Sequence, residues 1–161
     1  MIATVLPVVA LLGVVGSGLM AGVFFAFSTS VMPALRRLRP AAGAEAMQQV
    51  NRVIQNPLFL LVFMGTGVLS LLLVIGAPIS GSPGTAWVVI GGLLYLVGSI
   101  GLTFVVNVPM NNRLDAANPL TDKGAATWAD YLSRWTAWNH ARALACVAAT
   151  AALAVGLPGV R

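Results

Sequence analysis

Four apolar segments of roughly 20 residues or more divide this sequence, and they constrain the fold more than any other feature. They lie at about residues 2–29, 58–76, 86–106 and 139–157. Each is long enough to cross a bilayer as an α-helix. The N-terminus lacks the basic region of a signal peptide, so the first segment is kept as a membrane span. The sequence therefore predicts an all-α membrane protein, a single four-helix bundle over residues 1–161.

Composition and charge place this bundle in lipid. Only 8% of the residues are charged, against roughly a quarter in a soluble domain. The net charge of +5 comes from residues beside the apolar segments, not from basic runs interleaved with aromatic residues. Such residues indicate topology and contacts with anionic lipid, which argues against nucleic acid as a partner.

The distribution of basic residues predicts the orientation. Two loops, between spans one and two and between spans three and four, carry several basic residues, whereas the other face carries one. These residues are Arg36, Arg37, Arg39 and Arg52, then Arg113, Lys123 and Arg134, and on the opposite face Arg161. The positive-inside rule then places both loops in the cytoplasm and both termini outside the inner, cytoplasmic membrane.

The first of these loops contains an amphipathic pattern. Met47, Val50 and Ile54 form one apolar stripe of a helix over residues 41–55. A parallel polar stripe consists of Gln48, Asn51 and Gln55. We interpret the pattern as a helix that lies at the membrane interface or caps the bundle. The polar stripe is then either its solvated face, which we favour, or part of a binding site.

Prolines and caps predict the ends of the other helices. Pro33 and Pro109 are expected to end or kink the first and third helices. Thr121 is a candidate N-cap for the last helix. Neither Gly nor Pro occurs between residues 125 and 155, so that helix should run unbroken into the fourth span. The fourth helix is thus expected to extend past the membrane boundary.

The stretch W-A-D-Y-L-S-R-W-T-A-W-N-H-A-R, residues 128–142, concentrates the rare residue types. It holds three of the four tryptophans, one of the two tyrosines and the single histidine. One broad face of a helix would carry Trp128, Tyr131, Trp135, Trp138 and Arg142. Asn139 falls at the edge of this face, and His140 points about 100° away from Asn139. A site that uses both His140 and this face therefore needs another helix.

Each of these residue types has a structural and a chemical interpretation. The tryptophans fit either an aromatic belt in the headgroup region or the wall of a pocket. Arg142 could snorkel to the interface or bind a carboxylate or phenolate through two nitrogens. His140 is either an interfacial histidine or a general base. One histidine and one cysteine argue against a mononuclear metal site, although a homo-oligomer could pool histidines.

Any four-span topology puts both polar loops on one membrane face. Three polar groups then meet at one end of the bundle: Gln48, Asn51 and Gln55; Asn107, Asn111, Asn112 and Arg113; and Trp135, Asn139, His140 and Arg142. Polar groups near hydrocarbon are costly and need partners, so this end is where chemistry is expected.

Four motifs occur along the chain. They are F-F-A-F-S-T-S-V-M-P-A-L at 24–35, M-Q-Q-V-N-R-V-I-Q-N-P at 47–57, N-V-P-M-N-N-R-L-D at 107–115, and the stretch at 128–142. Together they resemble the anthrone oxygenase-like family of small integral membrane proteins, many of them catalogued only as a domain of unknown function. The most specific patterns, N-x-P-x-N-x-x-L and W-x-x-W-N-x-x-R, are both intact.

This resemblance implies a membrane-embedded, cofactor-independent oxygenase that acts on an anthrone-like or other apolar aromatic substrate. Base-promoted deprotonation of the ring system precedes reaction with O2. By this hypothesis His140 is the base, Arg142 and Asn139 stabilise the enolate, and Trp135 and Trp138 sandwich the ring. The expected substrate-binding set also includes Asn107, Asn111, Arg113, Gln48, Asn51 and Gln55.

The expected partners are the lipid bilayer, the aromatic small molecule and O2, with no cofactor. An alternative is a non-enzymatic membrane protein that binds a lipid, a quinone or a metal at the polar end of a homo-oligomeric bundle. Stoichiometric copper, iron or haem in the purified protein would favour this alternative.

Overall fold

Long helices form nearly all of the protein in a computed structural model that describes residues 2–160, with side chains from residue 5 onward. The α-helices are α1 (Ile2–Ala26), α2 (Met32–Arg36), α3 (Pro40–Val53), α4 (Pro57–Ser80), α5 (Thr85–Tyr95), α6 (Val108–Asp115) and α7 (Asp122–Gly156). Helical segments of other types are the π segments Phe27–Val31, Leu96–Gly101 and Thr103–Asn107 and the 3₁₀ turn Leu157–Gly159. Residues 2–160 contain no strand, which confirms the predicted all-α class.

Four continuous helical stretches are long and apolar enough to cross a membrane. They are the first span, Val5–Arg36, the second, Pro57–Ser80, the third, Thr85–Asp115, and the fourth, Asp122–Gly159. This confirms the predicted four-span bundle and fits an integral multi-pass membrane protein. The helices extend further than the predicted apolar segments at 2–29, 58–76, 86–106 and 139–157.

The spans are arranged as a ring in chain order. The first packs against the second, the second against the third, and the third against the fourth, which closes the ring against the first. α3 lies outside this ring and contacts α2, α6 and α7. We call the end formed by α2, α3, α6 and the first half of α7 the polar end. The distal end is where α1 and α5 begin and α4 and α7 finish.

Glycines bring the helices together at the distal end. A Cβ on Gly91 would lie 2.7 Å from Leu153 Cγ and 3.0 Å from the carbonyl oxygen of Ala149. The backbone N–H of Gly84 donates to the carbonyl of Gly159 at 3.2 Å. Only glycine, which has no Cβ atom, fits at such close approaches, so the backbones of α5 and α7 nearly touch.

Two π segments precede the prolines that were predicted to end or kink their helices. The chain stays helical past Pro33 to Arg36, and past Pro109 to Asp115, so neither proline ends its helix. A proline cannot donate to the carbonyl four residues before it, and its ring clashes with that carbonyl. Because a π turn carries an extra residue between bonded groups, it accommodates the proline where a regular α-turn would break.

The start of α7 follows its sequence signals. Thr121 Oγ1 accepts a hydrogen bond of 3.1 Å from the backbone N–H of Gly124, as an N-cap does. The helix then runs unbroken for 35 residues. Both the cap and the extended fourth helix predicted from the sequence are confirmed, and α7 carries its aromatic residues from the polar end into the bundle.

Candidate functional site

The polar groups of the two long loops meet at the polar end. The Gln48 side chain donates to the carbonyls of Leu114, at 2.8 Å, and Ala117, at 3.0 Å, which ties α3 to the end of α6. Arg52 reinforces this tie through Asp115, with Nη2 2.7 Å from Oδ1. The expectation that both loops share one end is therefore realised in the structure.

A cavity of about 280 Å³ lies below α3, between the spans. Half of its apolar lining residues carry aromatic rings: Phe24, Phe27, Phe59, Phe63, Phe104 and Trp135. Its polar wall is formed by Asn51, Gln55, Thr103, Asn111, Asn112, Asn139 and Arg142. Among the described lining residues, Arg142 is the sole charged side chain. The pocket is thus a largely apolar chamber, rich in aromatic rings, with a cation at one side.

Arg142 is a buried cation with no anionic partner among the described residues. Only 5% of the residue is exposed. Its Nη2 donates to Asn139 Oδ1 at 2.7 Å and its Nη1 to Thr103 Oγ1 at 3.0 Å, both neutral acceptors. Its Nε is buried without a partner, and no carboxylate in the described part of the chain pairs with it. A buried charge without a counterion is costly, so this position favours an anionic ligand.

Aromatic rings enclose the guanidinium of Arg142. Its central carbon lies 4.3 Å from the centroid of the Phe24 ring and 5.3 Å from that of Trp135. Cation–π attraction to these faces supplies part of the stabilisation that a carboxylate would otherwise give. It does so without cancelling the charge, which stays available to the pocket.

Asn139 fixes the direction in which Arg142 points. Its Nδ2 donates to the carbonyl of Phe24 and to Ser28 Oγ, each at 2.7 Å. With the amide nitrogen engaged by the first span, Oδ1 faces Arg142 and accepts its hydrogen bond. The first and fourth spans therefore position the cation jointly.

Asn111 organises the aromatic side of the pocket. Its Oδ1 accepts from the Tyr131 hydroxyl and from Trp135 Nε1, each at 2.8 Å. Trp128, Tyr131 and Trp135 stack in series, with ring centroids 5.8 and 5.6 Å apart. Because both donors use Oδ1, the amide nitrogen is the atom of Asn111 left to face a ligand.

The buried face of α7 is centred on a different residue from the one predicted. Trp135, Asn139 and Arg142 line the pocket, as expected. Trp138, 40% exposed, and His140, also exposed, lie outside the pocket on either side of Asn139. The face is centred on Asn139, which was placed at its edge, because Ser28 and Phe24 of the first span bond to that residue. The catalytic role of His140 and the ring contact of Trp138 stay predictions, without support from this arrangement.

Some of the remaining predicted substrate-binding residues line the pocket and others lie outside it. Asn51, Gln55 and Asn111 line the pocket. Arg113 is exposed and lies 3.6 Å from Asp130 in an ion pair. Other residues, Gln48 and Asn107, are buried outside the pocket wall. Their contact with substrate also stays a prediction.

The interpretation of the polar stripe on α3 as a solvated face is wrong for two of its three residues. Gln48 and Asn51 are both buried, because α3 turns this stripe toward α6 and α7. Met47, from the apolar stripe, is buried as well. α3 is therefore a cap that packs with both stripes, not a helix with one wet side.

Sequence reasoning missed several residues of the pocket. Thr103, Phe24 and Ser28 contact Arg142 or Asn139, yet none was among the predicted site residues. Thr103 gave a usable signal, since it is polar within an apolar span and lies four residues before Asn107 and eight before Asn111. Phe24 and Ser28 gave none beyond their motif, because their role depends on where the first span meets α7.

The described residues contain no group of three or more histidine, cysteine or acidic side chains that could hold a metal ion. Cys146 is buried and forms no disulfide. The donors that reach the pocket are amides, a hydroxyl and a guanidinium, which suit an organic oxygen or an anion better than a metal.

A family model described as anthrone oxygenase matches residues 59–152, more than half of the chain. The matched region runs from Phe59 to Ala152 and includes Thr103, Asn111 and Arg142. No curated protein and no solved structure matches the chain.

Proposed function

Because the chain belongs to the anthrone oxygenase family, we propose that its pocket binds a flat, apolar aromatic molecule of the anthrone type and promotes its reaction with O2. The observation that carries this proposal is the buried, uncompensated guanidinium of Arg142 within an aromatic chamber. A chamber of this kind favours a ring system on which negative charge develops.

The guanidinium would stabilise the deprotonated substrate. Loss of a proton from the CH2 group of an anthrone leaves an enolate, whose charge is concentrated on oxygen. Arg142, held by Asn139 and Thr103, supplies donors that need no rearrangement when this charge appears. Phe24 and Trp135 would contact the rings of the substrate beside the same cation.

The oxidation is balanced without a further reductant. The enolate gives an electron to O2, and the resulting radical and superoxide join through a carbon–oxygen bond. The peroxide anion so formed takes up a proton from water to give a hydroperoxide. Cleavage of its O–O bond, with loss of the remaining hydrogen on that carbon, releases water and leaves a carbonyl. One oxygen atom enters the quinone and the other enters water. The protein need only bind, orient and stabilise charge.

The proton requires an acceptor, and the described pocket lining contains neither a carboxylate nor a histidine. We place its release at the polar edge of the pocket, where Gln55 and Asn112 are exposed, with water as the acceptor. The base role predicted for His140 needs a relay from outside the pocket. If water accepts the proton, a substitution of His140 leaves turnover unchanged; if His140 is the base, the same substitution lowers turnover.

Purified protein in lipid nanodiscs, supplied with anthrone, tests the proposal. We expect O2 uptake above the protein-free rate and one atom of isotopically labelled O2 in the quinone. Arg142→Met should reduce this acceleration by roughly 10²–10³-fold, whereas Arg134→Met, which removes an exposed arginine of the same helix, should leave it unchanged. Protein that binds anthrone without accelerating O2 uptake would contradict the proposal.

The same geometry favours one other function, the binding of a quinone without catalysis. Arg142 could donate to a quinone oxygen as it would to an enolate, and the aromatic wall suits either molecule. This alternative predicts tight quinone binding with no O2 uptake on anthrone. Measuring both on the same preparation separates them.

A further inference from the structure

We propose that the substrate enters the pocket sideways from the bilayer, as a neutral molecule that ionises only after it reaches Arg142. The route is a mouth between α4 and the π segment Thr103–Asn107, which we call the lateral mouth and define by Leu60, Met64 and Phe104. This inference rests on the proposed function and specifies the class of substrate: uncharged, lipid-dissolved aromatics with one acidic hydrogen.

The position of the lateral mouth follows from residues that both line the pocket and face outward. Leu60, Met64 and Phe104 are 41%, 42% and 53% exposed, and all three lie in helical stretches apolar enough to cross a membrane. α4 packs against α5 and against Leu96–Gly101. In the described structure it makes no comparable contact with Thr103–Asn107. The second and third spans are therefore less closely packed at this level, where exposed residues also line the pocket.

The polar end offers a poorer entrance, because α3 covers it. Gln48 bonds to the backbone at the end of α6, and Arg52 pairs with Asp115. Asn51, on the inner side of α3, is itself buried. Gln55 reaches the pocket only at its polar edge. A ring system that entered from water would have to pass the cap and the polar side chains Gln55 and Asn112, whereas entry from lipid meets only apolar side chains.

The chemistry of the lateral mouth restricts what can pass. Its three residues are apolar, so an ionised aromatic would lose its hydration there without gaining a partner. Arg142 lies inside the pocket with its charge uncompensated. The substrate must therefore cross as a neutral molecule. Its C–H bond then breaks within the pocket, the electron pair stays on the ring as enolate, and the proton passes to water at the polar edge. The quinone product is again neutral and can leave by the same route.

Substitutions at Phe104 test the route, with the neighbouring Val105 as a matched control. Val105 is exposed and outside the pocket lining. The measurement is stopped-flow fluorescence of anthrone binding to protein in nanodiscs under anaerobic conditions, so that no turnover occurs. Thermal unfolding of every variant verifies that it is folded.

We expect Phe104→Trp to slow association roughly tenfold, which corresponds to about 1.4 kcal/mol in the barrier to passage. Dissociation should slow as well, and Phe104→Ala should accelerate both rates. Because Phe104 also forms part of the pocket wall, the two rates need not change by the same factor. A change of both rates in the same direction identifies a residue on the route, whereas a purely bound-state contact alters mainly dissociation. Val105→Trp and Val105→Ala should change neither rate.

Two results would overturn the lateral route: unchanged rates in both Phe104 variants, or a slowing by Gln55→Trp with Phe104 variants unaffected.

Admission of O2 to the same samples tests the proposed function separately. Rates that depend on Phe104 without O2 uptake would refute the oxygenation and leave the route intact. O2 uptake with rates insensitive to Phe104 would refute the route alone. Wild-type protein that binds no anthrone would refute both.

Discussion

At the distal end, glycines let the helices approach until backbone meets side chain, whereas at the polar end asparagines hold helices around a cavity. Gly91 has no room for a methyl group beside Leu153. Asn111 and Asn139, by contrast, bridge between spans through side-chain hydrogen bonds. The same four helices thus close by contact at one end and by polar bridges at the other.

This difference assigns separate tasks to the two ends. In lipid there is little hydrophobic force between helices, so close packing at small residues supplies association. Polar bridges have directional geometry, and they can hold a cavity open where packing alone would collapse it. The distal end is therefore expected to govern stability, and the polar end to govern binding and chemistry.

The largest effect should follow from Arg142→Met, which removes the charge of the polar end and keeps an unbranched side chain. We expect anthrone turnover to fall by roughly 10²–10³-fold, the usual loss when one donor to a developing oxyanion is removed. The unfolding temperature should change little, because loss of the hydrogen bonds to Asn139 and Thr103 is offset by removal of a buried charge that lacks a counterion. O2 uptake and thermal unfolding in the same nanodiscs measure both. If Arg142→Met lowers the unfolding temperature but leaves turnover intact, the role of Arg142 is structural and not catalytic.

A smaller but still substantial effect is expected for Asn111→Leu, which removes the acceptor for Tyr131 and Trp135. Each buried donor left without a partner costs about 1–3 kcal/mol, so the free energy of unfolding should fall by that order. Denaturant titration measures it. In combination with Tyr131→Phe the loss should be smaller than the sum of the single losses. Strict additivity would mean that the bridge does not couple the two residues.

Gly91→Ala should lower stability by about 1–3 kcal/mol, since its methyl group would overpack against Leu153 and Ala149. Gly65→Ala is the matched control, because a methyl group there meets nothing within 4 Å and helix propensity alone should make it neutral or stabilising. Turnover per folded molecule should stay unchanged in both. A drop in turnover without a loss of stability would show that the two ends are not separate.

The smallest effect is expected for His140→Ala, because His140 is exposed and outside the pocket. Turnover should stay close to that of the wild type when O2 uptake is followed. A general base contributes about 10²–10⁴-fold, so a loss of that size with unchanged anthrone binding would establish the base role predicted from the sequence.

Much of the architecture could be predicted because lipid imposes it. Apolar length defined the four spans, and four-span topology alone placed both polar loops at one end. The long α7 followed from its cap at Thr121 and from the absence of Gly and Pro beyond it. These features depend on local sequence and on the solvent, not on how the helices pack.

The details of the site depended on packing and could not be predicted in the same way. Helical periodicity grouped Trp138 with Trp135, but contacts from the first span to Asn139 decide which side of α7 faces inward. The partner of Arg142 in the third span, Thr103, begins a π segment, where a regular helical period no longer assigns faces. Arg142 itself could be singled out, because a charge within an apolar run is informative without any tertiary context.

The π segments have a consequence for the length of the chain. A π turn holds one residue more than an α-turn between bonded groups, so each segment behaves like a single inserted residue that the helix has absorbed. Deleting one residue within Thr103–Asn107 would restore α-helical spacing and rotate everything before it by about 100° relative to α6. Thr103 and Asn111 would then face different directions. The number of residues in the third span therefore determines whether Thr103 and Asn111 face the same pocket.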